Sequence, residues 1–197
     1  MTNRARMVAI ALVAMAGAAP ERLEAADAAG RVIVVRVENR SPVGAADVQN
    51  AQSIAARFYV EIGVSLVWLG PSDQLPSTLR PVFELQVTLL SGERTDRLLK
   101  GKSISSTALG VAPHDTGRVY LFCERIEIAA AHERTPIDRL LGRVLAHELG
   151  HQLLPHQGHS LAGIMKARVA TGALTGGFTG PQRAAIHALL ARPTGAR

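Results

Sequence analysis

The chain has 197 residues, 47% of them hydrophobic and 19% charged, with a formal net charge of +6. That length supports one domain with a sizeable core and is short for two. The basic residues are scattered, and with aromatic residues at only 4% no stacking surface accompanies them, so nucleic acid is not an expected partner.

At the N-terminus Arg4 and Arg6 precede an uncharged run from Met7 to Ala19, with Ala16-Gly17-Ala18 as a small-residue cleavage site. This is the pattern of a secretory signal peptide over residues 1–18, leaving residues 19–197 as a single mature domain. The 13-residue run is shorter than the roughly 20 residues a spanning helix needs, and the leader has no Cys to carry a lipid. The expected location is secreted or periplasmic, with no stable membrane association after cleavage. Loss of Arg4 and Arg6 from the 22 basic side chains leaves 20 against 16 acidic, or +4.

Arg31 to Glu38 (RVIVVRVE) reads as a buried strand, ended by the turn residues Asn39-Arg40-Ser41-Pro42. A helix is predicted over Ala46–Ile62, with Val48, Ala51, Ile54, Ala55 and Phe58 near helical spacing and Gly63 as its C-terminal cap. Val64–Leu69 reads as a second strand, residues 71–81 as a proline-bearing loop, and Val82–Leu90 as a third strand. Ser91–Ser106 is polar and ambiguous. Short strands are predicted over Ala108–Pro113 and Arg118–Cys123, around the turn Asp115-Thr116-Gly117. Ile126–Thr135 reads as a loop or short helix. A long helix over Pro136–Leu154 follows, with Ile137, Leu140, Leu141, Val144, Leu145 and Leu149 as its buried stripe, Pro136 in its first turn and Pro155 as its stop. Glycine-rich irregular chain then leads to a final helix over Gln182–Ala191, facing Ala185, Ile186, Leu189 and Leu190 inward. There are no internal repeats.

The long helix carries His147-Glu148-Leu149-Gly150-His151. Residues i and i+4 stack on one helix face, so both imidazoles can close on one zinc ion, with Glu148 beside them as a general base for water. After Glu148 no Asp or Glu occurs as far as Arg197, so a third ligand from downstream must be His156, His159 or His187. Glycine costs roughly 1 kcal/mol against Ala in a helix, so Gly150 implies a close neighbour there, expected to be the backbone around Gly163-Ile164-Met165. Cys123, the only cysteine, excludes an internal disulfide and a thiolate-rich site and reads as a buried small hydrophobe. His114 and His132 read as surface residues. Lys166, Arg168, Arg183, Arg192 and Arg197 fall in the acid-free tail and point to a positive potential near the metal-bearing end of the cleft.

The stretch VLAHELGHQLLPHQGHSLAGIMKA, Val144 to Ala167, resembles the metzincin zinc peptidases, in which H-E-x-x-H is followed by a turn, a third His and a Met-containing tight turn. His159-Ser160 is similar to the third ligand and following Ser of the matrixin-like branch, and Gly163-Ile164-Met165 to the Met-turn. The chain departs from H-E-x-x-H-x-x-G-x-x-H in having Leu154 for the Gly and Gln157 for the His. Its loop looks two residues longer, with Gly158 available for the turn. It also resembles a group of uncharacterised secreted bacterial proteins with the spacing H-E-x-G-H-(x)7-H-S-x-x-G-I-M, which again selects His159 over its rival His156.

The resemblance implies an α+β zincin fold: a twisted mixed sheet packed on a long active-site helix, with a small C-terminal subdomain ending in a helix. It implies a Zn2+ site of His147, His151 and His159, with Met165 packing beneath the metal. It also implies peptide hydrolysis by zinc-activated water with Glu148 as base, and a sheet-edge strand, Ala108–Pro113, holding a peptide or protein substrate by strand addition. Tyr120 or His156 is a candidate for oxyanion support. The alternatives are a zinc-binding module without catalysis and a zinc hydrolase of non-peptide amides such as cell-wall material. Nothing in the sequence sets the oligomeric state.

Overall fold

A computed structural model describes residues 31–154, 158–167 and 176–192. The proposed leader, Pro155 and His156 lie outside the described residues. In chain order the elements are β1 (Val32–Arg40), α1 (Ala45–Val60), β2 (Ser65–Leu69), β3 (Phe83–Leu90), α2 (Gly92–Leu99), β4 (Gly110–Val111), β5 (Arg118–Phe122), α3 (Cys123–His132), α4 (Ile137–Leu153) and α5 (Gly180–Leu190). The architecture is α+β, with a five-stranded mixed sheet of order β2-β1-β3-β5-β4. Strands β2, β1, β3 and β5 run parallel, and the short edge strand β4 is antiparallel to β5.

The alternating pleat explains how the sheet divides its side chains. Ile33, Val35 and Val37 of β1, Leu85, Val87 and Leu89 of β3, and Val119 and Leu121 of β5 enter the main core. They meet Ala51, Ala55 and Phe58 of α1 and Leu141, Leu145 and Leu149 of α4. On the opposite face Val32 and Val34 are buried with Leu79 of the loop between β2 and β3, and Val67, Leu69 and Leu75 pack on them. The first half of β1 is thus covered on both sides, and its unbroken apolar run reflects this.

Helices α1 and α4 cross closely because Gly142 has no side chain. A Cβ there would lie 2.8 Å from the Ala51 carbonyl oxygen and 2.8 Å from Ile54 Cβ. The Tyr59 hydroxyl, fully buried, donates to the Ala146 carbonyl at 3.0 Å and ties the two helices beside His147. Helix α1 ends at Val60 with Glu61 as its C-cap, two residues short of the expected end, and Gly63 follows in the turn with φ +71°.

Several local predictions change: β1 runs on through Asn39 and Arg40, expected in a turn, the strand expected over Ala108–Pro113 is confined to Gly110–Val111, and Pro136 is the N-cap of α4 and not part of its first turn. The polar segment after Ser91 contains α2, Cys123 begins α3 instead of ending a strand, and the terminal helix starts at Gly180. Thr179 caps that last helix, with its hydroxyl accepting from the Gln182 N–H and the Gln182 side chain accepting from the Thr179 N–H. Its Ile186 and Leu190 join the same core as the sheet.

Candidate metal centre

His147 and His151 lie one turn apart on α4, and the chain after the helix returns His159 to them. One ring nitrogen from each can be chosen so that the three atoms lie within 4.8 Å of one another. The two Nε2 atoms of His147 and His151 approach to 3.1 Å. Zinc–nitrogen bonds of about 2.0–2.1 Å at tetrahedral angles place ligand nitrogens roughly 3.3 Å apart, so the helical pair is already near ligating separation. The His159 ring centroid is 5.2 Å from that of His147 and 5.1 Å from that of His151. His147 is buried, His151 half-buried and His159 exposed, so the third ring is the one with room to adjust.

The tight turn after His159 fixes the orientation of His147. Ser160 N–H donates to the Met165 carbonyl at 2.8 Å, and Ile164 N–H to Gly177 at 3.1 Å. The turn passes Gly163 at φ +75°, against the Gly177 carbonyl, where a side chain has no room. It thereby presents the Ile164 carbonyl to His147 Nδ1 at 2.8 Å. With the proton on Nδ1 donated there, Nε2 keeps its lone pair for a metal. Met165 is fully buried, and a Cβ on Gly150 would lie 2.5 Å from its sulfur. The close neighbour of Gly150 is thus the Met165 side chain, with Phe178 next to it, rather than the backbone of the turn.

Burial lowers the basicity of the rings. His151 is pushed down to about 4 by desolvation first, and then by His147, His159 and His114. His147 is also lowered, chiefly by desolvation, with the Ile164 hydrogen bond opposing and His159 adding to the shift. Both are neutral near pH 7, the state a metal requires. Glu148 is buried and its carboxyl is raised to about 8 by desolvation. A cation held by the neighbouring rings would favour its ionised form.

The cluster opens into a cleft of about 990 Å3. One wall is the chain from Ser105 to Ala112, including β4, and another is the end of α3 with His132 and Glu133. Gly110 of β4 passes directly over the general-base candidate: a Cβ there would lie 2.9 Å from Glu148 Cγ and 3.0 Å from its Oε1. Gln152, the residue after His151, accepts from the Gly117 N–H at 3.0 Å and donates to the Pro113 carbonyl at 2.8 Å. It clips the β4–β5 turn to the helix that carries His147 and His151.

His114 and His132 are exposed, as read from sequence, and both also line the cleft. Tyr120 does not: Val119 and Leu121 enter the core, so Tyr120 points to the opposite face of the sheet and is no candidate for oxyanion support. His187 is elsewhere too, with its Nε2–H donating to the Ile62 carbonyl at 2.6 Å. Gly158 does not have a positive φ, and nothing lies within 4 Å of a Cβ built on it, so the turn before His159 does not require glycine there. Among the described residues lining the cleft there is no Lys or Arg; Arg168 and Arg197 of the tail lie outside the described residues.

No protein-family model matches this chain, and none of the curated proteins matches it in sequence. Any reading of its activity therefore stands on the site alone.

Proposed function

We propose that the protein is a zinc-dependent peptidase of metzincin type, exported from the cell by the leader read in residues 1–18. The observation that carries this reading is the pairing of three neutral-ligand histidines with an adjacent carboxylate that lines an open cleft. His147, His151 and His159 would hold the ion, whose three protein ligands leave a position open, as catalytic zinc sites do. When bound, zinc supplies Lewis acidity toward a carbonyl oxygen and acidifies water. Glu148 takes the proton from the attacking water and returns it to the departing amine. A peptide lies extended along the unpaired edge of β4, which borders the cleft and places main-chain hydrogen-bonding groups beside Glu148. A metal kept only for structure has no use for a buried general base, and this favours catalysis over a binding module.

Glu148→Gln is the test. The variant should bind zinc with wild-type stoichiometry and cleave a peptide library about 10²–10⁴-fold more slowly, the range for losing a general base. Undiminished cleavage rules out the mechanism. Cleavage of cell-wall amides with no cleavage of peptides moves the substrate to the other class while keeping the site. Zinc retained in full by His159→Ala would remove the proposed third ligand.

A further inference from the structure

The face of the sheet turned away from α4 has an opening of its own. Parallel strands are normally covered on both faces. Here the loop between β2 and β3 covers only one half of the second face, over Val32 and Val34. Over the other half, Glu38 and Arg40 of β1, Gln86 and Thr88 of β3, and Arg118 and Tyr120 of β5 lie beneath α2, enclosing about 480 Å3. The register sets Glu38, Thr88 and Tyr120 in one row across the three strands, with Gln86 and Arg118 in the row before it. Helix α2 adds Arg94 and Arg97.

Four guanidinium groups therefore face a single lining carboxylate. Arg40 is paired with Glu38 at 2.7 Å and Arg97 with Glu93 at 2.6 Å. The side chains of Arg94 and Arg118 have no hydrogen bond or ion pair among the described residues. An ordinary solvated sheet face mixes both signs of charge, because like charges held close repel one another. Every cation here is Arg and none is Lys; the planar fork of Arg matches two oxygens of one acidic group, where Lys offers a point charge. Arg40 and Leu90 are the last residues of β1 and β3 while Arg118 is the first of β5, so the pocket lies on the open face of the parallel strands, under α2. Its volume is in the range of small-molecule sites.

We propose that this groove is a second binding site, for a small organic anion carrying two or more oxyanion groups, phosphate or carboxylate. Arg94 and Arg118 take the acidic groups, Thr88 and Gln86 hydrogen-bond to hydroxyls, and Tyr120 with Leu98 packs on the ligand body. The site stands apart from the metal cluster and does not depend on the peptidase reading.

Calorimetric titration of the full chain tests it. Fructose 1,6-bisphosphate serves as the phosphate probe, citrate as the carboxylate probe and fructose as the uncharged control. At least one anion should bind saturably, fructose should not, and Arg94→Ala/Arg118→Ala should weaken binding by at least about tenfold, the usual cost of losing a charge-assisted hydrogen bond. Both arginines are exposed and unpartnered, so their removal does not threaten the fold. Arg57→Ala/Arg183→Ala, an equal loss of charge elsewhere, should leave binding unchanged. Which probe binds more tightly separates a phosphate from a carboxylate ligand. The proposal is overturned by no saturable binding of either anion, by equal losses in the two double variants, or by binding that persists in Arg94→Ala/Arg118→Ala and disappears on chelation of the metal.

Discussion

Replacing Gly150 by Ala sets two effects of known size against each other. In a helix interior Ala is favoured over Gly by about 1 kcal/mol. Against this, the new methyl would sit 2.5 Å from Met165 Sδ, where ordinary contact begins at 3.4 Å, so the sulfur must retreat by about 1 Å. Met165 has little freedom to do so. It is fully buried, its carbonyl is held by Ser160 N–H at 2.8 Å, and Phe178 lies within 3.3 Å of the same methyl and packs edge-on against Tyr59 at 5.1 Å between ring centroids. Overpacking of this kind costs about 1–3 kcal/mol. The net expectation is destabilisation of roughly 0–2 kcal/mol, with the helix-propensity gain submerged.

The displacement should also reach the metal site. The turn that carries Met165 presents the Ile164 carbonyl to His147, and disturbing such a partner lowers metal affinity by about 10–100-fold. Urea unfolding of chelator-treated protein reads the stability, and a zinc competition titration reads the affinity. Met165→Ala alone should cost about 2–5 kcal/mol, but in the double variant with Gly150→Ala the two losses should sum to less than their separate values, because the clash has been removed. Strict additivity, or a Gly150→Ala protein about 1 kcal/mol more stable with unchanged zinc affinity, would refute the packing argument.

Two further outcomes follow from groups around Glu148. Gly110→Ala should lower kcat/KM on peptides by about 10²-fold, since its methyl displaces the carboxylate from 2.9–3.0 Å contacts, while zinc stoichiometry stays the same; unchanged kcat/KM would detach β4 from the chemistry. In the metal-free protein Glu148 titrates near 8 against an ordinary 4.5, so the folded state holds a proton that the unfolded state releases. The stability this supplies is full below about pH 4.5 and is lost as the pH rises toward 8. At about 1.4 kcal/mol per pKa unit the gross loss is roughly 4–5 kcal/mol, less whatever water entering the cleft returns. His151, lowered to about 4, acts in the opposite sense: its contribution falls as the pH drops from 6.5 toward 4. Urea midpoints of the chelator-treated wild type should therefore fall between pH 6.5 and 8, and those of Glu148→Gln should not; parallel curves would show that Glu148 is not buried as a neutral acid.

What the sequence disclosed divides by the range of the forces involved. The long helix, the pairing of His147 and His151 on one of its faces and the close packing at Gly150 were legible because each rests on helical spacing or on a local departure from propensity. The main strands were legible for a similar reason, since Val and Ile runs bounded by turn residues report burial directly. Helix α2 was not: GERTDRLL buries only Thr95, so no apolar stripe announces it, and its position is set by the chain leaving β3 at a sheet face that needs cover. His114 and His132 reach the cleft only because β4 and α3 fold around it, which no spacing along the chain reveals. Tyr120 is a different case, because the information was present in Val119-Tyr120-Leu121. In a strand whose neighbours both enter the core, the middle residue must leave by the other face, and the same rule carries Arg118 with it. The alternation that removes Tyr120 from the histidine-lined cleft is what puts it under α2 beside Arg94 and Arg118, so the two faces of one sheet hold two chemically different pockets: imidazoles with Glu148 on one side, and guanidinium groups on the other.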